Sequence, residues 1–346
     1  MERLPRQNLY ISPSLTLQQK DAIMSAKPKV NVIVPIEADL QAQVEAVADV
    51  RYIDWSVARA DLLAAMQDVE GVLLTPRVRG DAEFFDASPK LRVLSTTSVG
   101  YDAFNIDEAT KHGVVVCHTP GVLTNAVANL TVALILNLAL KLRENEAYVR
   151  DGNWAANATR PGLGIDIQGK TLGVVGFGRI GQTVTRFVQA LGMKTIWYDV
   201  FDTPHPSAPK SEYRPLDALL AEADFVTLHT NLDATTRHFI GAAELAKMKR
   251  TAFLVNTARG GLVDQVALTE ALRNGTIAGA GLDVLESEPP AADDPIYTLP
   301  NVVCYPHIGS ATHETRRAMR ELAVQNLVAV ITGQRPPAPV NPEALK

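Results

Sequence analysis

The sequence predicts an α/β protein built from two doubly wound parallel sheets. Three observations indicate this class: short apolar segments alternate with helical periods from residue 30 onward, a glycine-rich turn follows one predicted strand, and polar side chains follow several strand ends. Strands that alternate with helices are typical of parallel sheets covered on both faces. A chain of 346 residues is too long for one ordinary core, so we expect two domains.

The first series of strands precedes residue 118. Apolar, β-branched segments predict strands at 30–35, 71–75, 91–95 and 114–117. The intervening segments place Ala, Leu, Gln and Glu at helical spacing, as in residues 39–48 and 59–67. These elements predict the first of the two sheets.

A second series begins at residue 171. Its six predicted strands are 171–175, 194–198, 224–228, 252–256, 280–284 and 301–304. Only about 40 residues follow the sixth strand, which is too few for another domain. The amphipathic helix predicted at 314–332 therefore returns to the first sheet in the simplest arrangement. We accordingly expect a domain of residues 123–307 inserted into a discontinuous domain of residues 1–122 and 308–346.

Composition limits the classes of partner. The chain has 33 basic and 38 acidic residues and a formal charge of -5, so we expect no sequence-wide basic surface for nucleic acid or anionic lipid. The first 29 residues lack the apolar segment of a secretory signal. The apolar stretch at 130–140 is shorter than the roughly 18 to 20 residues that span a bilayer. We expect no membrane partner.

The cysteines indicate the compartment. Cys117 and Cys304 are too few for a disulfide framework, and they lack the spacing of metal ligands. We therefore expect free thiols, no metal site and a cytoplasmic location.

A glycine pattern follows the first strand of the second series. Residues 176–181, GFGRIG, come directly after the strand sequence LGVV and precede a helical segment, which is the context of a dinucleotide-binding turn. The glycines permit a tight turn, close approach to a pyrophosphate and close helix–strand packing, and the helix N-terminus attracts phosphate. The predicted cofactor contacts here come from Gly176, Gly178, Arg179, Ile180 and Gly181.

Asp199 stands eighteen residues after the last of these glycines, at the end of the next predicted strand. A carboxylate at this position accepts hydrogen bonds from the adenosine ribose hydroxyls and repels a 2′-phosphate. No Arg or Lys follows closely to offset that repulsion. The sequence therefore predicts NAD as the cofactor in preference to NADP.

Ionisable residues follow three successive strand ends of the second series. Arg259 follows the fourth strand, Glu286 and Glu288 follow the fifth, and His307 follows the sixth. Ligands of open parallel sheets bind beyond the carboxyl ends of the strands, so these side chains are expected to converge.

Their chemistry suits reduction of a 2-keto acid. A guanidinium can bind the substrate carboxylate with two parallel hydrogen bonds. An imidazolium within hydrogen-bond reach of the keto oxygen can protonate it. A carboxylate behind the imidazole favours the charged, proton-donating form.

The chain resembles the D-isomer-specific 2-hydroxyacid dehydrogenases over residues from about 30 to 335. The motifs are LGVVGFGRIG, VNTARGGLVD, GLDVLESEPP and PHIGSATHETR. Within the family, STTSVGYDAFNID and PHIGSATHETR are most similar to glyoxylate, hydroxypyruvate and 2-ketogluconate reductases. The resemblance implies a Rossmann NAD-binding domain inserted into a flavodoxin-like substrate domain, and a homodimer formed through the cofactor domains.

The resemblance also implies residue roles. Arg259 would bind the substrate carboxylate, His307 would be the acid/base, and Glu288 would be its partner, with Glu286 as the competing choice. The backbone N–H groups of Val99 and Gly100 would bind the same carboxylate. Further cofactor contacts are expected from Thr257, Ala258, Asp283 and Gly309.

Arg77, past the end of the strand GVLLT, is a candidate substrate contact, with a solvated surface charge as the alternative. Three other functions remain open: a D-2-hydroxyacid dehydrogenase acting on D-lactate or D-3-phosphoglycerate, a non-enzymatic NAD-sensing protein resembling corepressors of this family, and a thiol mechanism using Cys304 and His307. The last is the weakest, because a thiol inside a buried strand is usually inert.

Overall fold

The computed structural model describes residues 27–200 and 208–345. Within them the chain divides into two compact units, one up to His118 and again from Arg320, the other from Thr119 to Met319. Each unit contains one parallel sheet, which confirms the predicted α/β class with two doubly wound sheets. The first 26 residues, on which the expectation of no secretory signal largely rests, lie outside the described residues.

The first unit is built on a five-stranded sheet in the order β2-β1-β3-β4-β5, and every neighbouring pair is parallel. This is the flavodoxin-like order. The strands are β1 Lys29–Val32, β2 Asp49–Tyr52, β3 Gly71–Leu74, β4 Val93–Thr96 and β5 Val115–Cys117. The helices are α1 Ala38–Val47, α2 Arg59–Ala65, α3 Ala82–Asp86 and α4 Ile106–Lys111.

β2 was missed by the sequence analysis. Its residues, DVRY, lie at the sheet edge and are largely exposed. The central strands β3 and β4 are buried throughout and therefore consist of apolar or small residues. An edge strand has no such requirement, so apolar patterning cannot detect it.

The second unit is built on a seven-stranded parallel sheet in the order β12-β11-β10-β9-β6-β7-β8. Counted from β6, this is the Rossmann order with one strand added at an edge. The strands are β6 Thr171–Val175, β7 Lys194–Tyr198, β8 Glu212–Tyr213, β9 Phe225–Leu228, β10 Phe253–Asn256, β11 Gly279–Leu282 and β12 Val302–Cys304. The helices are α5 Thr124–Leu140, α6 Leu142–Arg150, α7 Arg179–Ala190, α8 Leu216–Glu222, α9 Ala242–Lys247 and α10 Gln265–Arg273. The two-residue strand β8 is exposed and was also missed.

The last helix, α11 His313–Ile331, begins in the second unit and ends in the first. From Ala323 onward its apolar side chains pack with Val30 and Leu73 in one core of the first unit. Ser95 Oγ of β4 also donates a 2.8 Å hydrogen bond to Ala323 O. The C-terminal segment then binds β5, since Val340 N donates to Val116 O at 2.7 Å.

The unit boundaries differ from the predicted domain boundaries. The division falls after His118 and after Met319, whereas the sequence placed it after residues 122 and 307. Residues 308 and 309 stay with the second unit because Asp283, just after β11, binds both of their N–H groups.

Neither a spanning helix nor a metal cluster is found in residues 27–200 and 208–345. No single helix there is long and apolar enough to cross a bilayer; α5 and α6 meet that test only together, with a 66° bend between them. No group of three or more His, Cys, Asp or Glu side chains in those residues is arranged to hold a metal ion.

Candidate active site

The glycine turn connects β6 to α7. Gly176 has φ +91°, and a Cβ there would lie 2.6 Å from His229 C, so neither the conformation nor the space admits a side chain. A Cβ at Gly181 would lie 2.2 Å from Gly176 O. The turn is thus packed backbone to backbone against the residue that follows β9.

Gly178 differs from these two glycines. A Cβ at this position would meet no atom within 4 Å, so the space in front of it is open. The first α-helical hydrogen bond of α7 is donated by Gln182 N to Gly178 O at 3.0 Å. The N–H groups of Arg179, Ile180 and Gly181 precede that bond and have no acceptor within the helix. An open approach to unpaired N–H groups at a helix N-terminus fits a dinucleotide pyrophosphate.

Asp199 follows β7 directly and supports the glycine turn. Its Oδ2 accepts a 2.7 Å hydrogen bond from Phe177 N, while Oδ1 has no partner within the residues that the structure describes. The bond to Phe177 was not predicted from the sequence. One carboxylate therefore holds the turn with one oxygen and leaves the other for a ligand hydroxyl.

His307 and Glu288 form an ion pair. His307 Nδ1 lies 2.6 Å from Glu288 Oε2, and the other carboxylate oxygen, Oε1, accepts from Leu285 N at 3.2 Å. The two side chains are 46% and 37% exposed, so the pair is accessible to a ligand. With Nδ1 engaged by the carboxylate, Nε2 is the ring nitrogen that remains for substrate.

The backbone of His307 is held in an unusual conformation. Its φ of 55° is in the left-handed region, which side-chain-bearing residues adopt at a cost of roughly 1 to 2 kcal/mol. Three hydrogen bonds to Asp283 hold it there: His307 N to Asp283 O at 2.9 Å, Ile308 N to Oδ1 at 2.7 Å and Gly309 N to Oδ2 at 2.8 Å. Both carboxylate oxygens of Asp283, a predicted cofactor contact, are therefore engaged by the turn.

Arg259 follows β10 in a tight turn. Asn256 closes this turn with its side chain, which donates to Arg259 O at 2.8 Å and accepts from Ala258 N at 3.0 Å. The Thr257 hydroxyl lies 2.9 Å from the Thr131 hydroxyl of α5. Arg259 Nη1 donates to Ala258 O at 2.8 Å. The predicted residues 257–259 are thus fixed by local hydrogen bonds and by α5.

The ionisation states follow from these contacts. Burial acts to raise the pKa of the Glu288 carboxyl, but the hydrogen bond and charge of His307, with Leu285 N–H and Arg259, outweigh it and hold that pKa below its usual value. Burial raises the pKa of Asp283, and the two amide hydrogen bonds only partly oppose it. Arg259 thus acts electrostatically on the same carboxylate that pairs with His307.

Glu286, the competing carboxylate, lies elsewhere. Its Oε1 is 2.6 Å from His238 Nε2 and 3.1 Å from Arg237 Nη2. The structure therefore pairs His307 with Glu288 and gives Glu286 different partners.

The remaining predicted residues belong to the first unit. Val99 and Gly100 follow β4, and neither backbone N–H has an acceptor within residues 27–200 and 208–345. Arg77 follows β3 at the same edge of the sheet and is exposed. Its guanidinium carbon lies 4.4 Å from the centre of the Trp55 ring, a contact that the sequence analysis did not predict.

His229 was not among the site residues predicted from the sequence. Burial lowers the pKa of its imidazole to about 3, so the ring is neutral, and Nδ1 has no partner among the residues described. Its other nitrogen lies 3.1 Å from the Thr227 hydroxyl. A signal was present in the sequence, since His229 directly follows β9 and His307 also lies past a strand end, three residues after Cys304 of β12.

Known proteins resemble this arrangement. A family model described as "D-isomer specific 2-hydroxyacid dehydrogenase, NAD binding domain" matches residues 132–309. A glyoxylate reductase from Korarchaeum cryptofilum is 49% identical over 269 residues, which are 77% of this chain and 81% of the relative. The chain belongs to the D-isomer-specific 2-hydroxyacid dehydrogenases. This confirms the predicted family, and membership makes the protein an oxidoreductase with a nicotinamide-dinucleotide-binding domain.

Further relatives cover nearly the whole length of this dehydrogenase. A glyoxylate/hydroxypyruvate reductase B from Serratia proteamaculans is 41% identical and covers 92% of this chain and 99% of its own. A solved NADPH-dependent glyoxylate/hydroxypyruvate reductase from Sinorhizobium meliloti is 32% identical with a TM-score of 0.82, covering 92% of this chain and 98% of that one. The latter was solved in complex with NADP and malonate.

The lowered pKa of Glu288 predicts a pH-dependent contribution to stability. Because the folded state favours the ionised carboxylate, the contribution is present above the ordinary carboxyl pKa and is lost as pH falls through the lowered folded-state value. We expect the melting temperature of wild type to exceed that of Glu288→Gln at pH 7, and the difference to shrink below about pH 4. Thermal melts from pH 7 to 3 measure this. A difference that stays constant across the range would contradict it.

Proposed function

We propose that this dehydrogenase reduces a small 2-keto acid, namely glyoxylate, hydroxypyruvate or 2-ketogluconate, to the D-2-hydroxy acid with NADH, and catalyses the reverse oxidation. The observation that supports this most is the 2.6 Å contact between His307 Nδ1 and Glu288 Oε2. Arg259 follows β10, and Glu288 follows β11, the next strand in the sheet. Relatives named glyoxylate reductase and glyoxylate/hydroxypyruvate reductase support the substrate class.

Each residue has a distinct chemical role in this proposal. Arg259 binds the substrate carboxylate. As the family resemblance implies, the N–H groups of Val99 and Gly100 are proposed donors to a substrate carboxylate. His307, charged and oriented by Glu288, protonates the keto oxygen from Nε2. In the reverse direction the neutral imidazole accepts that proton. A bound reduced nicotinamide dinucleotide supplies the hydride.

The cofactor contacts come from the second unit. The N–H groups of the first turn of α7 and the open space at Gly178 hold the pyrophosphate. Asp199 Oδ1 accepts from the adenosine ribose and disfavours a 2′-phosphate, which supports NAD over NADP. Thr257, Ala258 and Gly309 flank the strand ends where the nicotinamide half is expected.

We also propose a homodimer formed through the cofactor domain. Six large apolar side chains between residues 140 and 165 are exposed in the single chain: Leu140, Leu142, Val149, Trp154, Leu163 and Ile165. Leu163 is 94% exposed, which is unfavourable unless a second copy covers it. The two free cysteines suit a reducing compartment, so we propose a cytoplasmic location.

A screen of NADH oxidation tests the function. The substrates are glyoxylate, hydroxypyruvate, 2-ketogluconate, pyruvate and phenylpyruvate, each assayed with NADH and with NADPH. Turnover of one of the first three supports the proposal. Turnover of pyruvate alone would move the substrate to the D-lactate class, and NADH binding without turnover of any substrate would support the non-enzymatic alternative.

His307→Gln should keep NADH binding but lower kcat by roughly 10² to 10⁴, because a general acid is lost. Stopped-flow turnover gives kcat, and quenching of protein fluorescence gives the dissociation constant of NADH. His112→Gln, in the first unit, is the control for a histidine exchange and should retain wild-type kcat. Near-wild-type turnover of His307→Gln would refute the assignment.

Asp199→Ala combined with Val200→Arg should shift preference toward NADPH by about tenfold or more in kcat/KM, because it removes a repulsive carboxylate and adds a phosphate partner. Val200 is 77% exposed and accommodates the longer side chain. Asp199→Asn is the matched control, since its amide oxygen still accepts from Phe177 N. If wild type uses NADPH as well as NADH, the proposed role of Asp199 is wrong.

Arg77→Ala should lower kcat/KM for hydroxypyruvate or 2-ketogluconate by the equivalent of about 1 to 3 kcal/mol. The kcat/KM for glyoxylate should stay nearly unchanged. Glyoxylate is too short to reach a guanidinium remote from the keto group, whereas the longer substrates offer hydroxyls. Trp55→Ala should reproduce part of the loss, because the ring positions the guanidinium. Equal losses for all substrates would indicate a general effect on fold, and no loss would make Arg77 a surface charge.

A further inference from the structure

Glu286 belongs to an ion cluster next to the proposed catalytic pair. Its Oε1 contacts both His238 Nε2 and Arg237 Nη2, at 2.6 and 3.1 Å. We call Arg237, His238 and Glu286 the anchor cluster. Glu286 is 26% exposed, less than either partner, so its carboxylate is partly shielded from water. The cluster has no role in the chemistry described above.

The segment that supplies Arg237 and His238 is bound to the chain that follows Arg259. His238 N donates to Gly261 O at 2.8 Å, and Ile240 N donates to Leu262 O at 3.0 Å. Asp264 N returns a 3.0 Å bond to Ile240 O. The backbone that carries Arg237 and His238 is therefore fixed relative to the Arg259 turn.

The peptide before Glu286 lies directly against that turn. A Cβ at Gly260 would be 1.9 Å from Leu285 O and 2.5 Å from Glu286 N, so the two backbones are in contact without space for a methyl group. Glu286 N donates to Gln265 Oε1 at 2.9 Å. A displacement of residues 285 and 286 toward Gly260 must therefore move Gly260, and with it Arg259.

Leu285 also orients Glu288 through its N–H group. Leu285 N donates to Glu288 Oε1, and the other oxygen of that carboxylate contacts His307. The turn at 285–288 thus connects Glu286 to Glu288, which supplies the catalytic carboxylate. One side-chain anchor restrains both Arg259 and the Glu288–His307 pair.

We infer that Glu286 is a positioning residue for the reaction under "Proposed function", on which this inference rests. By binding Arg237 and His238 it fixes the turn at 285–288 against Gly260. This sets the distance between the substrate-binding guanidinium and the acid/base pair. Glu286 itself does not touch the substrate.

Kinetics of Glu286→Gln test the inference. Displacement by a fraction of an ångström at two contacts should raise KM for the keto acid and lower kcat, each by about tenfold, while KM for NADH stays within about twofold. The glycine turn is not attached to the anchor cluster, so cofactor binding should be spared. Glu270→Gln, which removes the exposed ion pair with Arg273 on α10, is the matched control and should leave all three parameters unchanged.

A second pair of variants keeps the test decisive if Glu286→Gln folds poorly. Arg237→Gln combined with His238→Asn should likewise raise KM for the keto acid and lower kcat while leaving KM for NADH within about twofold. Arg237→Lys combined with His238→Asn should restore KM and kcat toward wild type. Asn is chosen because His238 has φ 54°, which Asn tolerates. Wild-type KM and kcat in Glu286→Gln, or no rescue by the lysine, would overturn the inference. Absence of keto-acid turnover in wild type would instead overturn the proposed function.

Discussion

The arrangement of the site depends on the carboxylate of Asp283. Its two oxygens accept the N–H groups of Ile308 and Gly309, and its carbonyl accepts that of His307. These three bonds hold His307 at φ 55°, a conformation that an unsupported histidine rarely adopts. Because Asp283 directly follows β11, the position of the sheet determines the position of the His307 backbone, from which the imidazole extends. Without this restraint the 2.6 Å contact with Glu288 would have no defined geometry.

Close backbone contacts determine where glycine is required. Gly176 touches the backbone after β9, and Gly260 touches the peptide after β11. In each case a turn at one strand end is packed directly against the turn at another, with no side chain between them. The glycine turn and the Arg259 turn are therefore each positioned by residues that lie close in space but far away in the sequence. This precision is useful to an oxidoreductase, because small displacements of reacting groups are costly.

Much of the fold was predictable because the relevant patterns are local. The bounds of β6 and β7 agree with the sequence prediction to the residue, and the other predicted strands differ by one to three residues at an end. β2 and β8 were missed because exposed edge strands need no apolar pattern. The glycine turn, Asp199 and the three strand-end residues could be proposed as site residues because their spacing relative to strands is visible in the sequence. Thr131, which supports Thr257, was not identified, since its hydroxyl acts through a partner on another element.

The sequence by itself determined the order of the buried strands, the family, and the types of chemical group at the strand ends. Only the tertiary structure decided how those groups pair. The motif LESEP offers two carboxylates two residues apart, and local propensity cannot say which one meets an imidazole. The backbone path after β11 turns Glu288 to His307 and Glu286 to Arg237 and His238. Likewise the contact of Arg77 with Trp55 joins the ends of two strands, β3 and β2, that do not neighbour each other in the sheet. Hydrophobic periodicity records which face of an element is buried, whereas side-chain pairing depends on distances that exist only once the sheets have formed.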